Sequence, residues 1–349
     1  MGKTILILGN GFDLAHSLPT RYIDFMDFCK KVESIWHDDL EKFNAINNFR
    51  NTHINSWNTD ESIRVAIEEA FKNRHEEQIG NDYIVTSDNT ELTEIHDMLE
   101  DNIWYNYFKK LLKEKKIRGE NWIDFESEIR LIIEDVDRKA DSLSDKWADI
   151  HKVNGSKLYV FAFCFRDCVQ KRNKFDGEQF KNITVKDFRK ESYDDLVRLI
   201  RALEIYLSVF VEKIELKSKK LEIEALNPDF VINFNYTTTY ERNYRNTDIH
   251  YIHGKANAKR STEDSDLVLG IDEYWSPSER DQHTFFTIFK KFSQRIQKHT
   301  RNDCYRYLAE IEKLYVQNKT SWSITNFDIF KDHPIGVSSL NNKPCKCQE

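Results

Sequence analysis

Thr4-Ile5-Leu6-Ile7-Leu8-Gly9-Asn10-Gly11-Phe12-Asp13 is a short run of apolar residues broken by a pair of glycines. A run without polar alternation has the composition of a strand covered on both faces, as in parallel sheets flanked by helices. Gly9-Asn10-Gly11 ends it in a sharp turn, and with no Cβ in the way a phosphate could approach the backbone there. Asp13 is placed to cap a following helix, and Pro19-Thr20 with Tyr22, Phe25, Met26 and Phe28 begins another apolar helical face. Taken alone, a turn of this kind is more often a structural device. The third glycine of a dinucleotide fingerprint is missing, and no ribose-binding acid stands about twenty residues on.

Two later segments have similar composition. Val231-Ile232-Asn233-Phe234-Asn235-Tyr236-Thr237 follows the turn signal Asn227-Pro228-Asp229, and Ile249-His250-Tyr251-Ile252-His253-Gly254 places His253 eighteen residues after Asn235. Leu267 to Leu269, before Gly270-Ile271-Asp272, is a further strand candidate. The Asn235 amide both donates and accepts, which suits a ribose hydroxyl or a water; the plainer role is an Asx turn, for which Asn233 competes. His253, at a strand end and followed by glycine, titrates near neutrality and can serve as a general base, whereas His250 suits a structural role.

Between these segments, residues 31–224 are dominated by helical periodicity. Ile103, Trp104, Tyr107, Phe108, Leu111 and Leu112 form one apolar face, and Tyr193 through Ile214 form another over about six turns. The polar stretches 44–60 and 75–95 read as loops. Trp122-Ile123-Asp124-Phe125-Glu126 opens an acidic helix, and Glu126 would join a site only where that helix crosses it. Residues 285–316 read as helical and basic, with Lys290, Lys291, Arg295, Lys298, Arg301 and Arg306. The simplest assembly sets strand 4–8 beside the strands of 230–270 in one parallel sheet, with 31–224 inserted.

The formal charge of −7, from 59 acids against 52 Lys plus Arg, opposes nucleic acid as a long-range partner. Aromatic content of 13% beside 32% charged residues indicates a folded chain with a solvated surface. Six cysteines without a signal-peptide pattern read as reduced cytoplasmic thiols. Cys164 and Cys168, like Cys345 and Cys347, fit zinc spacings poorly, so no metal is expected. The run Ile5 to Leu8 is far too short to span a membrane.

Gly9-Asn10-Gly11-Phe12-Asp13-Leu14-Ala15-His16-Ser17-Leu18-Pro19-Thr20, Trp122-x-Asp124-Phe125-Glu126, Asn233-Phe234-Asn235-Tyr236-Thr237 and His253-Gly254-Lys255 together resemble the bacterial abortive-infection AbiH family, from residue 4 to about 300. A more distant similarity is to sirtuin-like NAD-consuming domains. Gly9, Gly11 and Pro19 match their glycine turn, Asn235 their Asn motif, and His253-Gly254 their catalytic His-Gly. Asn10, Asp13, Ser17 and Thr237 depart from that pattern, and the zinc-binding cysteine pairs have no counterpart. Many AbiH relatives carry a late strand ending in Gly-His-Ser-Leu, where this chain has Ile335-Gly336-Val337-Ser338-Ser339-Leu340.

The resemblance implies an α/β fold, a Rossmann-like (sirtuin-like) parallel sheet with a large helical insertion. Residues 1–30 plus 225–349 would form the nucleotide-binding core and 31–224 the insertion. It implies an anti-phage effector that hydrolyses the nicotinamide–ribose bond of NAD, bound as substrate with no resident cofactor. Asn235 and His253 would be catalytic; Gly9, Asn10, Gly11, Phe12, Asp13, Pro19, Tyr236, Gly254 and Gly270 would bind the nucleotide. A phage-derived or protein trigger and self-association are compatible with so large an insertion. Two other readings stand beside it: a module that binds a nucleotide without cleaving it, and a nuclease or translation-arrest toxin using residues 290–306, for which no metal-binding acid cluster is evident in the sequence.

Overall fold

The computed structural model describes residues 4–36, 61–79, 82–117, 123–140, 157–173, 180, 182–245, 247–298 and 300. Strands β1 (Ile5–Leu8), β4 (Phe230–Asn233) and β5 (Ile249–Tyr251) form a parallel sheet in the order β1-β4-β5. Its register pairs Leu8 with Asn233 and Asn233 with Tyr251, so all three strands stop on one rung. The ladder continues one step beyond: Phe234 donates its amide to Leu8 and Ile252 donates to Asn233, each at 2.9 Å. Level ends of this kind gather the segments that follow the strands, Gly9–Asp13, Phe234–Thr237 and Ile252–Gly254, along one edge.

β1 was expected to be covered on both faces; instead Leu6 and Leu8 are buried while Ile7 is 65% exposed. The buried face joins Phe12, Ile223, Val231 and Tyr240 in a small cluster. Leu267 to Leu269 are buried as expected but form no strand. The polar stretch 75–95, read as loop, contains the antiparallel pair β2 (Arg74–Ile79) and β3 (Asp82–Ser87) followed by a helix, Thr90–Leu99. Residues 44–60 lie outside the described residues.

Helices supply most of the rest: α1 (Asn10–Ala15), α2 (Tyr22–Trp36), α3 (Glu61–Lys72), α4 (Thr90–Leu99), α5 (Ile103–Ile117), α6 (Phe125–Ala140), α7 (Lys157–Asn173) and α8 (Val185–Ile205). α8 opens with a reciprocal capping box between Thr184 and Asp187, and its axis runs on through a π-helical turn, Tyr206–Phe210, to Lys213. The main core is aromatic. Phe125 stacks between Phe108 at 4.2 Å and Tyr22 at 4.3 Å, and Trp104, Tyr107 and Phe161 pack behind them. Each such ring pair contributes about 0.5–1.5 kcal/mol beyond its buried area. The cluster extends into Leu267, Leu269, Ile271, Phe286 and Phe289, so the helical block and the segment after β5 share one interior. Short helices α9 (Leu221–Ala225), α10 (Thr239–Asn243) and α11 (Lys291–Gln297) complete the described elements. Among the described residues no helix is long and apolar enough to cross a membrane.

Candidate functional site

The rung at which the strands end is joined by a side chain. Asn235 donates Nδ2 to the carbonyl of Gly9 at 2.9 Å, and its Oδ1 accepts no hydrogen bond among the described residues. A carbonyl partner fixes the orientation of the amide, because only the nitrogen can donate. Asn233 takes the turn-forming role: its Oδ1 accepts from the Asn235 amide at 2.9 Å and its Nδ2 donates to the Thr237 carbonyl at 3.3 Å. The rings on either side of Asn235 both meet the imidazole of His253, Phe234 at 5.8 Å and Tyr236 at 6.2 Å between centroids.

The His253-Gly254 corner is held from behind. The His253 carbonyl accepts from the Val268 amide at 2.9 Å, and the Tyr236 hydroxyl donates to the Val268 carbonyl at 2.9 Å. Gly254 has φ +83°, and a Cβ there would stand 2.1 Å from the Asp266 carbonyl oxygen, so glycine is required by conformation and by space. From the long helix axis, Glu204 accepts from the Asn257 amide at 3.2 Å and the Ser208 hydroxyl oxygen accepts from the Ala258 amide at 3.0 Å. Gly270 answers a similar demand, since a Cβ would lie 2.7 Å from the Phe289 carbonyl. Gly9 differs. It is exposed, its φ is −126°, and nothing lies within 4 Å of where its Cβ would be. Packing among the described residues does not require glycine there.

The other residues of the glycine turn separate by role. Phe12 is buried with its ring on His16 and Tyr244. Asn10 is exposed and accepts from the Thr20 hydroxyl at 3.0 Å. Pro19 is buried and its carbonyl accepts from Tyr206 at 2.7 Å. Asp13 is not a cap. It lies within α1, buried, with Oδ2 accepting from the Thr237 hydroxyl at 2.6 Å and Oδ1 without a partner; burial raises its carboxyl to about 6.

Two features reach the neighbourhood of His253 from far along the chain. Asp124 caps α6 by accepting from the Glu126 amide, and Phe125 buries its ring, which turns Glu126 toward α11. There Glu126 accepts from Lys291 at 2.7 Å, and it neighbours the buried phenols of Tyr22 and Tyr236 electrostatically. Burial holds the Glu126 carboxyl above the usual range. Trp122 lies outside the described residues. From α11, Arg295 donates Nη2 to His253 Nδ1 at 3.3 Å. Burial, then the Lys291 and Arg295 charges, pull the His253 imidazole down to about 4. His253 is therefore neutral at pH 7, and the guanidinium holds its proton on Nε2. Arg295 was legible only as part of a basic segment. Its signal was the spacing Lys291, Arg295, Lys298 along a single helical face.

Level parallel strands carrying polar groups at their carboxyl ends, in a mostly helical chain, define a mixed α/β protein. A family model described as bacteriophage abortive infection AbiH matches residues 5–331, and the chain belongs to that family. No curated protein and no solved structure matches it.

Proposed function

We propose that this chain is an abortive-infection effector that binds NAD across the carboxyl ends of β1, β4 and β5 and hydrolyses its nicotinamide–ribose bond. Family membership suggests the phage-defence role. The observation that carries the chemistry is the Asn235–Gly9 bond at the strand ends with His253 alongside, the arrangement that a sirtuin-like, Rossmann-like core would need. In that reading residues 1–30 and 225–349 are the nucleotide-binding core, and 31–224 are an insertion available to a protein or phage trigger, in a cytoplasmic protein.

Hydrolysis forms a bond from water oxygen to ribose C1′ and breaks the bond from C1′ to the pyridinium nitrogen. The electron pair stays with nicotinamide, which departs neutral, so no acid is needed at the leaving nitrogen. The protein must steady an oxocarbenium-like sugar and place the water. Asn235 Oδ1 accepts from a ribose hydroxyl, and the open flank of Gly9 admits the pyrophosphate. His253, neutral at pH 7, takes the water proton once Arg295 leaves Nδ1. Release of nicotinamide from NAD by the purified full chain, beside Asn235→Ala and His253→Ala, tests this: turnover equal in all three overturns it, with infected cells supplying any trigger. One observation favours a second reading, binding without cleavage: Arg295 occupies the nitrogen that a base would use. ADP-ribose binding with no nicotinamide release from NAD in infected cells would select that reading.

A further inference from the structure

The helix α11 is turned inside out. Gln294 and the preceding Lys290 are fully buried, while Phe292 and Ile296 are 48% and 67% exposed. A helix that buries its polar face against a protein interior contradicts ordinary amphipathicity, and such contradictions concentrate where the interior serves a ligand. Lys290 and Lys291 are compensated by Glu273 and Glu126, as Arg172 is by Asp195 and Arg201 by Glu204.

Arg295 and Lys298, one turn apart, meet no carboxylate within ion-pair distance among the described residues. Arg295 spends one donor on the His253 lone pair at 3.3 Å and leaves Nε buried without a partner. Lys298 donates to the Leu267 carbonyl. Burial pulls its ammonium down to about 8, which leaves it mostly charged at pH 7. Two partly buried cations a turn apart with no carboxylate at ion-pair distance are costly, and Glu204 and Asp266 act on Lys298 only from farther off. A ligand anion removes that cost.

We infer that Arg295 and Lys298 form the phosphoryl-binding subsite of the strand-end cleft, with Arg295 passing from His253 Nδ1 to a phosphate oxygen when the ligand binds. A phosphoryl group fits better than a carboxylate, because a fork of guanidinium donors plus an ammonium offers more donors than two oxygens can use. The exposed ring of Phe234 beside His253 gives a flat apolar face for the rest of a nucleotide. This deepens the nucleotide reading and rests on it for the ligand's identity, but the anion subsite can be probed without NAD.

Calorimetric titration of the full chain with inorganic pyrophosphate, with ADP-ribose, and with phosphate-free adenosine provides the test. Arg295→Gln is expected to weaken pyrophosphate and ADP-ribose by about tenfold or more, and Lys298→Gln by severalfold. Arg295→Lys should keep part of the affinity, through its charge without the fork, and the exposed Lys259→Gln all of it, with adenosine binding equal in every variant. Thermal melting establishes that each variant is folded; should Arg295→Gln unfold, Arg295→Lys and Lys298→Gln carry the comparison. Pyrophosphate that does not bind the wild type, or binds Arg295→Gln and Lys298→Gln as tightly as wild type, overturns the inference. Loss of NAD turnover as a property, with Arg295-dependent pyrophosphate binding intact, would instead sink the hydrolase reading and leave the subsite standing.

Discussion

Asn235 and Gly9, 226 residues apart in sequence, are joined by a 2.9 Å hydrogen bond from a side-chain amide to a main-chain carbonyl. The bond ties the turn after β1 to the turn after β4 and leaves Asn235 Oδ1 without a donor among the described residues. The Gly9 carbonyl also accepts from the Phe12 amide at 2.8 Å, so it is not stranded when the side chain is lost. Asn235→Ala should therefore cost only about 1 kcal/mol in urea denaturation at pH 7. Asn235→Asp should cost more, roughly 2 kcal/mol, because it sets a carboxylate against a carbonyl oxygen. An aspartate variant as stable as the alanine variant would contradict the bond as assigned.

Glycines 9 and 254 separate function from folding. At Gly254 the positive φ and the Asp266 carbonyl both reject a side chain, and Gly254→Ala should lose several kcal/mol, on the order of 3, or fail to fold. At Gly9 the added methyl meets open space and an ordinary φ, so Gly9→Ala should melt within about 0.5 kcal/mol of wild type. The same methyl occupies the flank that the ligand approaches, and ADP-ribose affinity should fall by about tenfold or more. Unchanged affinity in a folded Gly9→Ala variant would show that nothing approaches there.

β1 and β4 were legible as apolar runs ending in turn residues, and β5 as a short β-branched and aromatic stretch running into His253-Gly254. Leu267 to Leu269 have the same composition and form no strand, because their main-chain groups are taken elsewhere. The Val268 amide goes to His253, its carbonyl to the Tyr236 hydroxyl, and the Leu269 carbonyl to Gln294. Apolar composition reports burial; it does not report which partner satisfies the backbone. The pair β2 and β3 was hidden by Arg74, Glu76 and Glu77, although Gly80-Asn81 stands between the strands as a two-residue hairpin signal. Asn235 and His253 could be named from residue type and position. Arg295 could not, because a cation turned inward looks, in sequence, like any cation on a solvated helix.

His253 should titrate far below an ordinary histidine. Burial acts first, the Lys291 and Arg295 charges add to it, and Asp272 opposes them. The folded value of about 4 lies below the ordinary 6.5, so between those values the unfolded chain takes up a proton that the folded chain refuses. The contribution to stability is complete above pH 6.5 and is lost as pH falls toward 4. Ring resonances followed by NMR should show the transition near 4 in the free protein and a rise when pyrophosphate draws Arg295 away. A free-protein transition near 6.5 would mean that the imidazole is neither buried nor held by Arg295.

Asp13 should show the opposite trend with pH. Its carboxyl is raised from 3.8 to about 6, first by burial, with Glu212 adding to the rise and the Thr237 and Thr239 hydroxyls opposing it. Because the folded value is the higher one, the folded chain holds a proton that the unfolded chain has released between pH 3.8 and 6. Stability attributable to this group therefore falls as pH rises through that window, by an amount on the order of 3 kcal/mol, and stays low above it. Asp13→Asn keeps an acceptor for the Thr237 hydroxyl and removes the buried charge. Urea denaturation of both proteins at pH 4 and pH 8 should show the variant gaining on wild type as pH rises. An equal difference at the two pH values would mean that folding does not raise the Asp13 carboxyl.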